Sequence, residues 1–270
     1  SRGLGDVYKR QVMDKTPLIS VVTVSYNAVS TIEQTILSVI NQTYPNIEYI
    51  IIDGGSTDGT VNIIKKYTDK IAFWVSEPDK GIYDAMNKGI RIATGDWINF
   101  MNSGDRFAQT EVLTLLFDHN FCLSSYGGIY GDAMFTQSGE PVGYFQNKPF
   151  WNLKYKFVGM GICHQSLFVR MDLAKSFLFN IKYKICADYD MCYKLYNSGY
   201  QFKYFPILIS YFDRSGISST DPYKGLKESA ELTDTKYTLA FLLFYCFNML
   251  RIRLALRNKL KKIGLIKNKQ

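Results

Sequence analysis

Two β-branched apolar runs, LISVVTVSYN (18–27) and YIIID (49–53), each stop at polar residues, and one stretch of helical period lies between them. Strands buried on both faces read as continuous apolar runs, and they belong to parallel sheets covered by helices. The intervening STIEQTILSVINQTY sets Ile32, Ile36, Val39 and Ile40 on one face, with Ser30 as N-cap and Glu33 completing a capping box. The alternation continues. A helix over 58–67, a strand over 71–78, a helix over 81–94 and a strand over 96–105 follow with short connections. Such an order predicts right-handed βαβ units and a doubly wound, parallel sheet. Beyond residue 106, a helix near 110–118, strand-like runs near 128–135 and 142–146, the segment 160–170 and a helix near 187–198 read as a second half built onto the same sheet.

A parallel sheet gathers its strand ends on one edge, where open α/β folds bind ligands. That edge would hold Ser25, Asn27, Asp53 and the turn Asn102 to Asp105. Asp53 is either a ligand contact or part of an ordinary strand-to-helix turn, with Thr57 or Asp58 capping the next helix. Asp105, a carboxylate in a Ser-Gly turn, suits a hard cation or else stabilises the turn itself; Asn102 is a neutral ligand or a strand cap. Asp188 and Asp190 start a helix, where the dipole favours negative charge. If Asp188 faces the cleft instead, it can act as a general base. His164 is a core histidine or, with Gln165 beside it, part of a polar lining; His119 reads as an exposed helix end.

Composition narrows the function classes. A hydrophobic content of 47% in 270 residues supports a sizeable core. The net charge of +8 is a property of the C terminus: nine basic and no acidic residues lie between Lys236 and Gln270, which leaves −1 for the rest. This distribution argues against nucleic acid as a partner. Five cysteines without a CxxC pair fit a reducing compartment, and no signal-peptide pattern is visible. The motifs GxxxxGK[ST], GxSxG and HExxH are missing, and no GxGxxG follows the first strand. P-loop, hydride-transfer and serine-hydrolase chemistry lose ground accordingly. Residues 1–12 match nothing later and precede Met13, so they read as an expression or assembly artefact.

Taken together, SVVTVSYNAVSTIEQTILSVINQTYPNIEYIIIDGGSTDGT, GIYDAMNKGI, MNSGD and ADYD resemble the nucleotide-sugar glycosyltransferases of family 2, closely over residues 18–106 and loosely over 160–217. The resemblance implies a GT-A fold, a Rossmann-like and mostly parallel sheet flanked by helices, over residues 13–235. It implies nucleotide binding by Ser25, Tyr26, Asn27 and Asp53, with Lys80 and Gly81 near the donor phosphates or ribose. MNSGD takes the place of the metal-binding DxD motif, so Asp105 would hold Mn²⁺ or Mg²⁺; Asn102 and Gly104 stand where the family has aspartates. Asp188 matches the catalytic base, with Ala187 in place of the usual glutamate. Asn102, His164, Gln165 and Asp190 would line the acceptor or donor site. The implied activity is inverting transfer of a sugar, a UDP-sugar favoured, to a hydroxyl of a glycan or lipid-linked acceptor in bacterial surface polysaccharide synthesis. The alternative is a catalytically silent nucleotide-sugar-binding subunit; a nucleotidyltransferase is disfavoured for want of a glycine-rich, basic loop after the first strand.

The tail, 236–270, joins a largely apolar stretch of 14 residues, YTLAFLLFYCFNML, to RIRLALRNKLKKIGLIKNK. A bilayer span takes ~20 apolar residues, so a basic amphipathic helix on anionic lipid fits better, with packing on the domain or an oligomer contact as alternatives. The expected location is the cytoplasmic face of the membrane.

Overall fold

The computed structural model describes residues 16–118, 123–137, 139–214 and 221–247. The predictions for residues 1–12, for His119 and for the tail beyond residue 247 lie outside the described residues. Strands β1 (Ile19–Ser25), β2 (Ile47–Asp53), β3 (Phe73–Ser76) and β4 (Trp97–Phe100) alternate with helices α1 (Ile32–Ile40), α2 (Thr60–Lys66) and α3 (Ile82–Ile92). Their order across the sheet is β3-β2-β1-β4, all parallel, with Ser25, Asp53 and Ser76 in register at the ends. The expected βαβ frame is present.

The side-chain period of two explains the layers. Val22, Val24, Ile50 and Ile52 face one core with Met86 and Ile90 of α3. Ile19, Val21, Tyr49 and Ile51 face the other, with Ile32, Ile36 and Val39 of α1. Burial on both faces accounts for the unbroken apolar runs of the sequence.

The second half adds β5 (Arg106–Phe107), α4 (Val112–Phe117), β6 (Tyr126–Gln137), β7 (Glu140–Phe145), β8 (Leu167–Arg170), α5 (Met171–Ser176), α6 (Ala187–Asn197), β9 (Gln201–Asp213) and α7 (Pro222–Leu232). It continues the same sheet as β4-β8-β6-β9-β5, with β7 paired to β6. Here the sheet is mixed. β8 runs antiparallel to both β4 and β6, whereas β6 and β9 are parallel. An antiparallel strand begins where its neighbours end, so β8 carries the residues just before it, His164 to Ser166, to the carboxyl edge.

Two local expectations are corrected. Thr31, not Ser30, is the N-cap of α1 and makes no side-chain cap. Glu33 instead accepts from Tyr67 Oη at 2.8 Å, tying α1 to the end of α2. Residues 239–247 are helical, and Phe241 is buried on Phe157 and Ala230. Among the described residues no helix is long and apolar enough to cross a membrane.

Candidate functional site

The carboxyl edge is built from two interlocked loops. Asn27 adopts a left-handed backbone (φ 47°), a conformation that asparagine tolerates. Its N–H donates to Ser56 Oγ at 2.7 Å, and its Oδ1 accepts from Thr57 N–H at 3.0 Å. Asp58 binds the backbone N–H groups of Val29 and Thr60, which locks the same two loops together. Tyr26, between these anchors, is 66% exposed.

Asp53 stands at the expected strand end, but its carboxylate faces the protein. Oδ1 accepts from Ser25 Oγ (2.9 Å) and Ser56 Oγ (2.6 Å). Oδ2 accepts from Ser76 Oγ (2.6 Å) and from the N–H groups of Ser56 (2.8 Å) and Gly55 (3.2 Å). Burial pushes its pKa up, yet the donors of Ser56, Ser76 and Ser25 together hold it below the usual range. Asp53 therefore clasps the ends of three strands.

Lys80 and Gly81 lie exposed in the loop after β3. Gly81 takes φ 113°, and its N–H donates to Asp79 Oδ1 at 2.7 Å. Sequence reasoning passed over Asp79. Its one signal was the glycine pair 54–55, which leaves open space at a strand end; the structure places Asp79 Oδ2 over Gly54.

Further along the edge, Asn102, His164 and Asp188 form a relay. Asn102 Nδ2 lies 3.0 Å from His164 Nε2, and His164 Nδ1 lies 3.1 Å from Asp188 Oδ2. With the amide donating to Nε2, the ring is left with its proton on Nδ1, facing the carboxylate. Tyr83 Oη of α3 donates to the Ile185 carbonyl at 2.6 Å and lies 3.2 Å from Asp188 Oδ1, which accepts from Tyr189 N–H at 2.8 Å. Asp188 keeps 17% of its side chain exposed and sits in the first turn of α6. Asp190 is turned elsewhere, buried and paired with Lys194 one helical turn on.

Asp105 is 5% exposed. Its Oδ1 accepts from Asp213 N–H at 2.9 Å, and its Oδ2 from Gln165 Nε2 at 2.7 Å. Desolvation pushes its pKa up to about 7, against these two donors. A hard divalent ion at a phosphate site takes one or two protein carboxylates that face the cleft, together with phosphate oxygens and waters. Of the turn, Asn102 Oδ1 is buried without a partner, Gly104 has no side chain, and both Asp105 oxygens are engaged within the protein. Among the described residues no group of three or more His, Cys, Asp or Glu could hold a metal ion. These residues do not fit a divalent ion held by the turn.

The mixed sheet flanked by helices is a GT-A-like α/β fold. Comparison with known proteins agrees. The chain belongs to glycosyl transferase family 2, whose model matches residues 20–181. An uncharacterized glycosyltransferase of Mycobacterium tuberculosis is 44% identical over 102 residues, 37% of this chain and 39% of that protein. The chain thus spans about two fifths of the length of that relative. A PGL/p-HBAD biosynthesis glycosyltransferase of Mycobacterium bovis is 26% identical over 210 residues, 76% of this chain and 80% of that protein. Among solved structures, S. aureus TarS in complex with UDP-GlcNAc superposes with a TM-score of 0.62 at 19% identity, over 80% of this chain and 66% of that one. The mannosyltransferase PcManGT of Pyrobaculum calidifontis, in complex with GDP-Man and Mn²⁺, gives 0.56 at 17%, over 77% and 63%. At these identities the structures speak for the fold alone.

Proposed function

We propose that the protein is an inverting glycosyltransferase that moves a sugar from a nucleoside-diphosphate donor, a UDP-sugar by preference, to a hydroxyl of a glycan or lipid-linked acceptor. The observation that carries this reading is Asp188: a partly exposed carboxylate held by His164 Nδ1, with Tyr83 Oη alongside, at the sheet edge where nucleotide donors bind in such folds. The relatives named as glycosyltransferases support it, as does a TarS neighbour that carries UDP-GlcNAc.

In this mechanism Asp188 removes the proton from the acceptor hydroxyl as its oxygen attacks the anomeric carbon. The bond to the diphosphate oxygen breaks on the opposite face, and the nucleoside diphosphate leaves with that electron pair. His164 orients the carboxylate, with Tyr83 Oη beside its other oxygen. The loops after β1 and β2 form the nucleotide side of the cleft, with Ser25, Tyr26, Asn27, Lys80 and Gly81 around it. Asp105 is buried with a donor of the chain on each oxygen, so the turn does not hold a Mn²⁺ or Mg²⁺ ready for the diphosphate.

The same reading places the enzyme peripherally on the cytoplasmic membrane face, in surface polysaccharide synthesis. Phe241 packs inward on Phe157, while Leu239, Leu242 and Leu243 of the same helical stretch are exposed, and the basic run from Arg251 follows in sequence.

The test is release of nucleoside diphosphate from UDP-, GDP-, CDP- and dTDP-sugars in the presence of a membrane extract as acceptor source. Release by the wild type and its loss in Asp188→Asn is expected. Binding without release from any donor would return the silent-subunit alternative.

A further inference from the structure

We propose that Asp79, in the loop after β3, is the carboxylate that reads the donor nucleobase, and that it selects a base with an imide N–H. The inference rests on the nucleotide-sugar reading above. Asp53 is the obvious reader by position, but five donors of the chain itself already fill its two oxygens. A carboxylate offers about four lone-pair sites. Asp53 has no room for a ligand.

Asp79 is arranged in the opposite way. Its Oδ1 accepts from Gly81 N–H at 2.7 Å, which fixes the side chain. No donor among the described residues bonds Oδ2. That oxygen lies over Gly54, where a built Cβ would meet it at 2.5 Å and Tyr26 Cδ2 at 3.3 Å. Any side chain at position 54 would occupy this space, so glycine is the condition for Asp79 to reach across the end of β2. The result is a carboxylate oxygen without a donor among the described residues, set over the end of β2 beside the exposed Tyr26 ring, on which a flat base can stack while its edge meets that oxygen.

The chemistry of that oxygen selects the base. Uracil presents N3–H, a donor that a single carboxylate oxygen accepts. Cytosine presents a lone pair at N3, which a carboxylate repels. Guanine offers two adjacent donors and is best met by two free oxygens, of which Asp79 has one. A charge-assisted hydrogen bond of this kind corresponds to roughly 10–100-fold in affinity.

Titration calorimetry with UDP, dTDP, CDP and GDP on the wild type, Asp79→Asn and Gly54→Ala tests this, with the melting temperature of each variant recorded. The amide of Asp79→Asn keeps an oxygen for Gly81 N–H and presents an NH₂ group where Oδ2 stood, matching the acceptor at cytosine N3. The wild type is expected to prefer UDP to CDP by about tenfold or more, and Asp79→Asn to abolish or reverse that ratio. Gly54→Ala, which leaves the carboxylate but displaces it, should lose UDP affinity by a similar factor. A folded Asp79→Asn with an unchanged UDP:CDP ratio overturns the inference, as does a wild type that prefers CDP or GDP. A wild type that binds none of the four overturns the glycosyltransferase reading itself.

Discussion

Gln165 donates to Asp105 across 60 residues of sequence, from Nε2 to Oδ2 at 2.7 Å. Together with the bond from Asp213 N–H, it makes Asp105 a clasp between the β4–β5 turn, β9 and the segment ahead of β8. This clasp has a pH signature. Burial pushes the Asp105 pKa up to about 7, above the ordinary value of an unfolded chain. A raised folded-state pKa contributes stability that is complete below about pH 4 and is lost as pH climbs to about 7, at up to ~1.4 kcal/mol per unit. Asp53, whose pKa is lowered, acts only as pH falls below its ordinary value, so the two windows are separate. Urea unfolding of the wild type and Asp105→Asn at pH 4.5, 5.5, 6.5 and 7.5 should show the variant's stability falling less across the series. Parallel curves would contradict a buried, proton-linked Asp105.

The same engagement bears on the divalent ion. With Asp105 turned inward and Gly104 without a side chain, the turn offers a cation only the Asn102 carbonyl oxygen. UDP affinity measured by calorimetry in EDTA is therefore expected to match that in Mn²⁺. Tightening by roughly tenfold or more on adding Mn²⁺ would show that the nucleotide recruits an ion that the chain does not preassemble.

Periodicity carried much of the fold and little of the site. Ile19 to Ser25 and Ile47 to Asp53 announce buried strands because both faces are covered, and α1 shows its apolar stripe. The direction of β8 was not legible. Leu167 to Arg170 is a four-residue buried strand, and a short apolar run has the same pattern whether it is parallel or antiparallel. That direction decides the site, since it brings His164 and Gln165 to the edge. The inward turn of Asp53 was equally hidden, because it depends on Ser76 arriving from β3. Asp79 reads as a loop residue until the bare backbone of Gly54 is seen beneath it.

His164 Nδ1 faces Asp188 Oδ2 at 3.1 Å, and in the proposed mechanism this separates two kinetic outcomes. Asp188→Asn removes the base and should lower kcat by roughly 10²–10⁴-fold. His164→Ala leaves the carboxylate but frees its orientation, so a smaller fall in kcat with an unchanged donor KM is expected. A variant that loses donor affinity instead would assign His164 to the nucleotide. Steady-state kinetics with varied donor distinguishes the two.

The helical stretch 239–247 divides its apolar residues between two surfaces. Phe241 is 4% exposed, with its ring 5.5 Å from Phe157, whereas Leu239, Leu242 and Leu243 are 71%, 45% and 63% exposed. Phe157 lies beside Lys156, whose carbonyl accepts from Tyr189 Oη next to Asp188, so this helix packs near α6. Replacing Leu242 and Leu243 by aspartate should spare the fold, because neither side chain is in the core. The double variant is expected to lose co-sedimentation with anionic phosphatidylglycerol vesicles while binding UDP as the wild type does. Phe241→Ala acts on the other surface and should lower the melting temperature, at a cost of about 3–5 kcal/mol for a buried phenylalanine in a core. Retention of vesicle binding in the leucine double variant would move the membrane contact into the basic run that begins at Arg251.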